Sequence, residues 1–293
     1  MKSYILFFVF IFLSLQSCNT ITTGVTEQIV RPPKLPSNVT FAGERVPLED
    51  QDVLERLDRE MIVNQNYHSA TILIYKNVKR YKEPIEKILK ENGIPEDFFY
   101  LAVAESALNP NATSSANAAG LWQFMQGTAE GYGLEVSNYA DERRHFIKST
   151  RAACKYLLDA YKEFGNWTLV AAAYNRGQRG MKDAVTSQKM NNYYKLYLNQ
   201  ETARYVFRII ALKLILSNPQ EYNFDLSESI QYPSYKLKIV PVTESIPSLP
   251  DFAIANGTTY KELILHNPWI RTGKYNFDIP TGKTYEFLIP EKL

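Results

Sequence analysis

One carboxylate of this chain, Glu105, is predicted to lie where its ionised form is disfavoured. The helix that carries it begins at Pro95, and Glu105 follows Leu101 at i+4 and Ala102 at i+3, so it continues an apolar stripe. Pro110 ends the helix soon afterwards, which places Glu105 near the negative end of the helix and close to its buried face. Both placements raise a carboxyl pKa. A carboxylic acid that keeps its proton near neutral pH is suited to general acid catalysis.

Two further segments carry hydroxyl and amide groups. GLWQFMQGTAEGYGL contains Gln123 among several glycines, but it has neither the spacing nor the lysine of a phosphate-binding loop. VAAAYNRG brings small residues up to Tyr174 and Asn175, with Gly177 placed to end a helix. Taken singly, each segment is also compatible with ordinary packing and capping.

Composition excludes several other kinds of site. Three histidines and two cysteines, without a C-x-x-C or H-x-x-x-H pair, predict no metal centre. A formal net charge of +2 does not indicate a dedicated nucleic-acid binder.

The N-terminal residues indicate where the protein works. Residues 1–17 resemble a lipoprotein signal peptide: Lys2 precedes a short apolar run that ends in LSLQSC, similar to a bacterial lipobox. Lipidation of Cys18 would anchor the chain, and Asn19 in place of aspartate favours the outer membrane of a Gram-negative bacterium, facing the periplasm. The alternative is ordinary secretion with a chance cysteine. The other cysteine, Cys154, is expected to be a buried apolar residue without a disulfide partner.

The elements that position these groups are mostly helical. Residues 18–47 have the Thr- and Pro-rich composition of a flexible tether, and residues 48–221 form the predicted main domain. There, Val53, Leu57 and Met61 recur at i+4, and another helix is predicted from Pro84 to the stop at Asn92-Gly93. Residues 222–293 form a small mixed domain, in which strand-like YKLKIVPV and TYEFLIP flank a short helical stretch.

The order of the motifs resembles the catalytic domain of family 1 lytic transglycosylases (SLT domain), in particular the membrane-bound D group. The likeness covers residues 46–216 and rests on ESALNPNATSSANAAGLWQFMQGTAEGYGL, YADERRHFIKST, AAAYNRG and QETARYVFRIIAL. One departure is Gln126, where the family usually has proline. The resemblance implies a mostly α, lysozyme-like (α+β class) domain that cuts peptidoglycan glycan strands without a cofactor. We expect a monomer.

The resemblance also implies roles for individual residues. Glu105 matches the family's catalytic glutamate. The positions that match groups contacting substrate or orienting the acid are Ser106, Gln123, Tyr174, Asn175, Glu201 and Tyr205. Glu201 lies at a predicted helix start, where a charge role fits equally well. The structural alternative for Glu105 is an ion pair with Arg143 or Arg144.

Most glycosidases use a second carboxylate, but Asp141, Glu142 and Glu201 do not lie in a comparable motif. The resemblance implies that the substrate's N-acetyl oxygen attacks the anomeric carbon. Glu105 then removes the C6 hydroxyl proton, and the product ends in 1,6-anhydro-N-acetylmuramic acid. Two alternatives stay open: a hydrolytic muramidase on the same fold, and a non-catalytic lipoprotein that binds cell-wall glycans.

The C-terminal region, residues 235–290, resembles a degenerate LysM module, which binds glycans containing N-acetylglucosamine. NPWI lies near its middle and KTYEFLIP near its end, but the Gly-Asp-Thr turn after the first strand is missing. Trp269 could stack on a sugar, although packing in a small core is the expectation that its surroundings favour.

Overall fold

Helices account for most of the described chain, which comprises residues 31–271 and 275–291 of a computed structural model. The strands and α-helices, in order, are β1 (Thr40–Phe41), β2 (Glu44–Arg45), α1 (Gln51–Asn66), α2 (His68–Glu91), α3 (Phe99–Ser106), α4 (Gln126–Gly131), α5 (Phe146–Phe164), α6 (Trp167–Arg176), α7 (Gln178–Gln188), α8 (Gln200–Ser217), β3 (Leu237–Val242), α9 (Leu249–Ala255), α10 (Tyr260–His266) and β4 (Tyr285–Pro290). Short 3₁₀ helices occur between several of them.

Side-chain caps fix the starts of the helices that form the main core. Asn166 accepts a hydrogen bond from the Leu169 amide at 2.9 Å, and Asn199 accepts one from the Thr202 amide at 2.8 Å. These are N-cap interactions that satisfy amides without a partner inside the helix. They fix the first turns of α6 and α8, the two helices that carry most of the predicted substrate-contacting residues.

The predicted helix start at Pro84 is wrong, because α2 runs through this residue without interruption. A proline inside a helix removes one hydrogen bond and crowds the preceding turn. Tyr81, Ile85 and Ile88 nevertheless continue one buried stripe across Pro84. Burial of this stripe outweighs the local cost. The helix ends as predicted, with Asn92 as its C-cap and Gly93 at a φ of 71°.

Part of the predicted tether is packed into the helical core. The β1–β2 hairpin buries Val39, Phe41 and Val46, and the Ala42 amide donates to Asp97 Oδ2 at 2.7 Å. Burial of these three apolar side chains stabilises the packed hairpin over a solvated conformation. The tether therefore ends before residue 47. The predicted signal peptide and Cys18 lie outside the described residues.

The helical core extends slightly beyond the predicted boundary at residue 222. Phe224 and Leu226 are buried in it together with Tyr222. The following segment is attached to α2: the Tyr232 amide donates to the Lys76 carbonyl at 2.7 Å, and the Arg80 guanidinium lies 4.4 Å from the Tyr232 ring centroid.

The C-terminal residues form a β-α-α-β unit with its own hydrophobic core. Strands β3 and β4 pair antiparallel, with Leu237 opposite Pro290 and Val242 opposite Tyr285. Two helices, α9 and α10, occur where the sequence predicted one short helical stretch, because residues 256–259 form a turn between them. Trp269 is 1% exposed and stacks on Tyr285 with an interplanar angle of 9°, so it serves the packing role that we expected.

Both cores belong to one compact unit, residues 32–293. Among the described residues, no helix combines the length and apolar character needed to span a bilayer. No group of three or more His, Cys, Asp or Glu side chains in the described ranges is arranged to hold a metal ion.

Candidate active site

Glu105 lies in the last turn of α3, as predicted. The helix ends at Ser106, and the next two residues, Ala107 and Leu108, adopt φ values of 53° and 59°. Left-handed backbone is unfavourable for such residues and persists where the surroundings fix it. Here the Ala107 amide donates to the Val103 carbonyl at 2.8 Å, and the Leu108 side chain is buried. The turn that follows the carboxylate is therefore held on both sides.

The surroundings of Glu105 favour its protonated form. The side chain is partly buried, and this desolvation raises its pKa to about 7 against two opposing effects. The Tyr205 hydroxyl donates to Glu105 Oε1, and the positive charge of Arg208 lies nearby; both lower the pKa. The Glu201 carboxylate adds a smaller upward contribution. The predicted contact between Tyr205 and the acid is present.

Tyr174 lies beside the acid but does not donate to it. Its hydroxyl donates to the Trp122 carbonyl at 2.7 Å. Burial first, and then the charge of Glu105, raise the pKa of Tyr174 well above its usual value. Tyr174 thus keeps its proton, is joined to the segment around Trp122 by packing and one hydrogen bond, and interacts electrostatically with the acid.

Asn175 and Glu201 form a second polar group at the junction of α6 and α8. Asn175 Nδ2 donates to Glu201 Oε1 at 3.0 Å, and the Thr202 hydroxyl donates to Asn175 Oδ1 at 2.8 Å. The amide orientation is fixed from both ends. Glu201, which is exposed in the first turn of α8, therefore orients Asn175 in addition to its favourable position near the helix dipole.

Gln123 lies in a tight loop and adopts a φ of 48°. Its side-chain amide donates to the Gly120 carbonyl at 2.8 Å and to the Ala112 carbonyl at 3.3 Å. The loop packs closely: a Cβ at Gly120, whose φ is 83°, would lie 1.8 Å from the Arg143 carbonyl oxygen. Only glycine fits there. Gln126, the departure from the family pattern, is the first residue of α4, a position that proline also favours.

Ser106, the residue after the acid, has its hydroxyl engaged within α3. Its hydroxyl donates to the Ala102 carbonyl at 3.1 Å within α3, and the residue is 8% exposed. A hydroxyl that bonds back to its own helix has little freedom to turn elsewhere.

The other carboxylates that could assist Glu105 are committed to ion pairs. Asp141 accepts from Arg143 Nε at 2.8 Å, and Glu142 pairs with Lys148. Arg144 instead donates to Thr113 Oγ1 at 2.6 Å. The alternative in which Glu105 pairs with Arg143 or Arg144 therefore does not describe this structure.

Glu60 is a buried carboxylate that the sequence analysis missed. It is 1% exposed on α1 and accepts from Arg204 Nε at 2.6 Å, while Arg208 Nε lies 3.9 Å from its other oxygen. Because Arg204 and Arg208 flank Tyr205 on α8, this ion pair fixes the helix face that reaches the acid. The sequence does indicate that Glu60 is buried, because it follows Leu57 at i+3 on the apolar stripe of α1.

Comparisons with known proteins agree with the motifs. Residues 83–197 match the model of the transglycosylase SLT domain, and residues 238–293 match that of the soluble lytic transglycosylase C-terminal LysM-like domain. The chain is 34% identical over 194 residues to membrane-bound lytic murein transglycosylase D of Escherichia coli (strain K12), a match that covers 64% of this chain and 42% of that protein. It is 30% identical over 117 residues to a putative tributyltin chloride resistance protein of Alteromonas sp. (strain M-1), covering 40% of this chain and 56% of that protein.

Among solved structures, the 70 kDa soluble lytic transglycosylase of Escherichia coli covers 67% of this chain and 34% of its own, with 17% identity and a TM-score of 0.42. In the sequence comparison, the chain spans about two fifths of the length of the membrane-bound Escherichia coli relative. The predicted fold class is confirmed in its architecture: a mostly helical domain precedes a small α+β unit, and that unit matches a LysM-like model. The resemblance stated from the motifs agrees with both matches: residues 83–197 are similar to the transglycosylase SLT domain, and residues 238–293 are similar to the LysM-like domain of the soluble lytic transglycosylase C-terminal type.

Proposed function

We propose that this protein is a peptidoglycan lytic transglycosylase that cleaves the β-1,4 bond between N-acetylmuramic acid and N-acetylglucosamine. The observation that carries the proposal is Glu105: a carboxyl group with a pKa raised to about 7, next to Tyr205, in a domain of the SLT family. The name of the Escherichia coli relative, a lytic murein transglycosylase, supports the same substrate class.

Glu105 acts first as a general acid. A carboxyl group with a pKa of about 7 is largely protonated in mildly acidic solution and can transfer its proton to the leaving glycosidic oxygen. The substrate's own N-acetyl oxygen attacks the anomeric carbon as the bond to the leaving oxygen breaks, which gives an oxazolinium-like intermediate. The amide of Asn175 and the side chain of Gln123 are suited to contact N-acetyl and hydroxyl groups of the sugar.

Glu105 acts next as a base. Its carboxylate, stabilised by the Tyr205 hydroxyl, accepts the proton of the C6 hydroxyl on the same muramic acid. The C6 oxygen then bonds to the anomeric carbon and the oxazolinium ring opens, leaving a 1,6-anhydro end. One carboxyl group serves both halves and no water is consumed, so the products together have the mass of the substrate.

The first rival is a hydrolytic muramidase, which would need a second carboxylate to activate water. Asp141 and Glu142 are engaged with Arg143 and Lys148, and Glu201 accepts from Asn175. The second rival, a non-catalytic glycan-binding protein, would have no use for an acid with a raised pKa. These contacts support the lytic reaction over both.

Mass spectrometry of the products from purified glycan strands tests the proposal. We expect product ends that are lighter by one water than those of a muramidase. Glu105→Gln is the matched control, and it should leave the strands uncut. Reducing-end muramic acid as the main primary product would assign the enzyme as a muramidase. Unchanged strands with well-folded wild-type protein would support the binding-protein reading.

We also propose that the protein acts from the membrane surface in the periplasm, anchored by a lipid on Cys18 and held at the outer membrane. The support is the lipobox-like LSLQSC, the residue Asn19 after it, and the membrane-bound relative. A single acyl chain anchors weakly, and the several chains of a lipidated cysteine anchor firmly.

A further inference from the structure

A buried ion-pair cluster joins the helical domain to the small domain at Asp141. This side chain is 3% exposed, and its carboxylate accepts from Arg143 at 2.8 and 2.9 Å. Arg271 of the small domain donates to the same carboxylate at 3.1 Å. Arg144 lies 3.8 Å away. The charged groups facing Asp141 are thus three arginines, one of which comes from the C-terminal part of the chain.

The cluster continues from Asp141 into the loop that carries Gln123. Arg143 uses its remaining nitrogen, Nη1, to donate to the carbonyl of Asn117 at 2.8 Å and to that of Phe124 at 3.2 Å. These two carbonyls belong to the two sides of the loop, so one guanidinium joins both. The contact of Gly120 with the Arg143 backbone closes the same junction. The position of the Arg143 side chain therefore determines where the loop lies.

The loop in turn contacts Tyr174. The hydroxyl of this residue donates to the Trp122 carbonyl, and its ring lies 6.4 Å from the Trp122 ring and 6.2 Å from the Phe124 ring. Burial and then the charge of Glu105 raise the pKa of Tyr174, as they do for Tyr205. Residues 117–124 therefore link the ion-pair cluster to Tyr174 by direct contacts, and Tyr174 interacts electrostatically with the Glu105 carboxyl group.

On its other side, the cluster is held by the small domain. Arg271 Nη1 donates to the Ser137 carbonyl at 2.8 Å, and the Arg271 amide donates to the Tyr139 carbonyl at 2.8 Å. The Asp141 amide donates to the Trp269 carbonyl at 2.7 Å. An exposed ion pair contributes little to stability or order, but this one shares a desolvated carboxylate and is flanked by backbone hydrogen bonds.

From these contacts we infer that Arg271 is a positioning residue for the reaction: through Asp141 and Arg143 it fixes the loop 117–124 beside the acid. The small domain then has a role in catalysis that does not require it to bind glycan. The expected effect on turnover rests on the proposed function. The coupling between Arg271 and the loop, in contrast, can be measured without any substrate.

The three tryptophans of the chain provide the measurement. Trp122 lies in the loop, Trp269 next to Arg271, and Trp167 at the start of α6. We would label the full chain with ¹⁵N-tryptophan and compare the indole signals of wild type, Arg271→Ala and Arg271→Lys. Lys261→Ala, at an exposed lysine on α10, removes the same charge from the same domain and is the matched control.

We expect Arg271→Ala to shift the Trp122 signal while the Trp167 signal stays in place, and Lys261→Ala to move neither. Turnover of glycan strands should fall about tenfold, within the roughly 100-fold loss that a misplacement of about 1 Å can produce. Arg271→Lys keeps the charge but cannot donate to Ser137 and Asp141 in the same fork geometry. It should restore part of the turnover, and it carries the test if Arg271→Ala does not fold.

An unmoved Trp122 signal in the folded Arg271 variants would overturn the inference, whatever the turnover. A shifted signal with unchanged turnover would equally overturn a role in the reaction. These outcomes are distinct from failure of the proposed function, in which wild type itself would leave glycan strands uncut.

Discussion

The pKa of Glu105 is set by opposing effects on one carboxyl group. Desolvation raises the pKa of Glu105, and the Tyr205 hydroxyl and the Arg208 charge lower it, with a net value of about 7. A group in this range can both donate and accept a proton near neutral pH. The two halves of the proposed reaction need both abilities from the same side chain.

The contribution of Tyr205 can be tested by the pH dependence of the rate. Because the first step needs protonated Glu105, we expect activity to decline as the pH rises through about 7. The hydrogen bond from Tyr205 favours the carboxylate, so Tyr205→Phe should raise the pKa of Glu105 and move this decline to higher pH. Rate profiles between pH 4 and 9 give the midpoint.

Tyr174→Phe is the matched control for that experiment. The Tyr174 hydroxyl donates to the Trp122 carbonyl and not to Glu105, so its removal should leave the midpoint unchanged even if the maximum rate falls. A midpoint that stays fixed in Tyr205→Phe, or moves to lower pH, would contradict the role given to Tyr205.

Replacing Glu105 by Gln should separate catalysis from stability. The rate should fall by roughly 100- to 10,000-fold, because an amide can neither protonate the leaving oxygen nor accept the C6 proton. Since the folded-state pKa of Glu105 is raised to about 7, the ionised carboxyl destabilises the wild type. This cost is absent below the unfolded-state pKa of about 4.3, grows with pH, and is complete above about 7.

The variant should therefore gain stability relative to wild type at pH 8 and not at pH 4, by at most about 4 kcal/mol, since one pKa unit corresponds to about 1.4 kcal/mol. Urea unfolding at the two pH values measures the difference. Glu91→Gln, at an exposed carboxyl at the end of α2, should show no such gain. Equal effects at both pH values would mean that the Glu105 pKa is not raised.

At the scale of elements, the loop 117–124 depends on a close backbone contact. Gly120→Ala would place a Cβ 1.8 Å from the Arg143 carbonyl oxygen, whereas Gly133, with a similar φ of 86°, has no atom within 4 Å of the same position. Both substitutions cost about 1–3 kcal/mol for the left-handed backbone. Only Gly120→Ala adds a clash, so its free energy of unfolding should fall further, by about 2 kcal/mol or more.

Denaturant unfolding of the two glycine variants gives the comparison directly. Glycan turnover should also fall in Gly120→Ala and stay near wild type in Gly133→Ala. Equal losses of stability in the two variants would show that the loop can move away from Arg143 at little cost.

The parts of this structure that follow from local sequence were predictable. The end of α3 and the placement of Glu105 follow from a helical stripe and a stop signal, and the strands β3 and β4 follow from their composition. The resemblance, and not the local pattern, supplied Tyr205. The uninterrupted helix α2 was not predictable from Pro84 alone, because burial of the flanking apolar residues decides whether a proline ends a helix.

The ion-pair cluster around Asp141 could not be predicted from local sequence patterns. Asp141 and Arg271 are 130 positions apart in the sequence, and no periodicity relates them, so only the packed fold shows that they share a carboxylate. The same holds for Glu60 and Arg204, although the place of Glu60 on an apolar stripe marked it as unusual. Long-range polar contacts of this kind depend on how helices pack, which hydrophobic spacing constrains only loosely.

For the molecule as a whole, the attachment to the membrane is the property to test. Cys18→Ala should move the protein from the membrane fraction to the soluble periplasm, or leave its leader uncleaved, because lipidation and cleavage at this site require the thiol. Fractionation followed by mass spectrometry of the mature N-terminus gives the result. Unchanged membrane association together with an unmodified Cys18 in wild type would refute the lipid anchor.

The Cys18→Ala variant would also allow opening of the helical core to be measured through Cys154. Once Cys18 is replaced, Cys154 is the chain's remaining cysteine, and it is fully buried among the helices with a pKa raised by burial to about 12. A thiol reagent cannot reach it, or find a thiolate to attack, until the surrounding helices separate. The rate of labelling would thus measure how often the helical core opens, independently of the small domain, which contains no thiol.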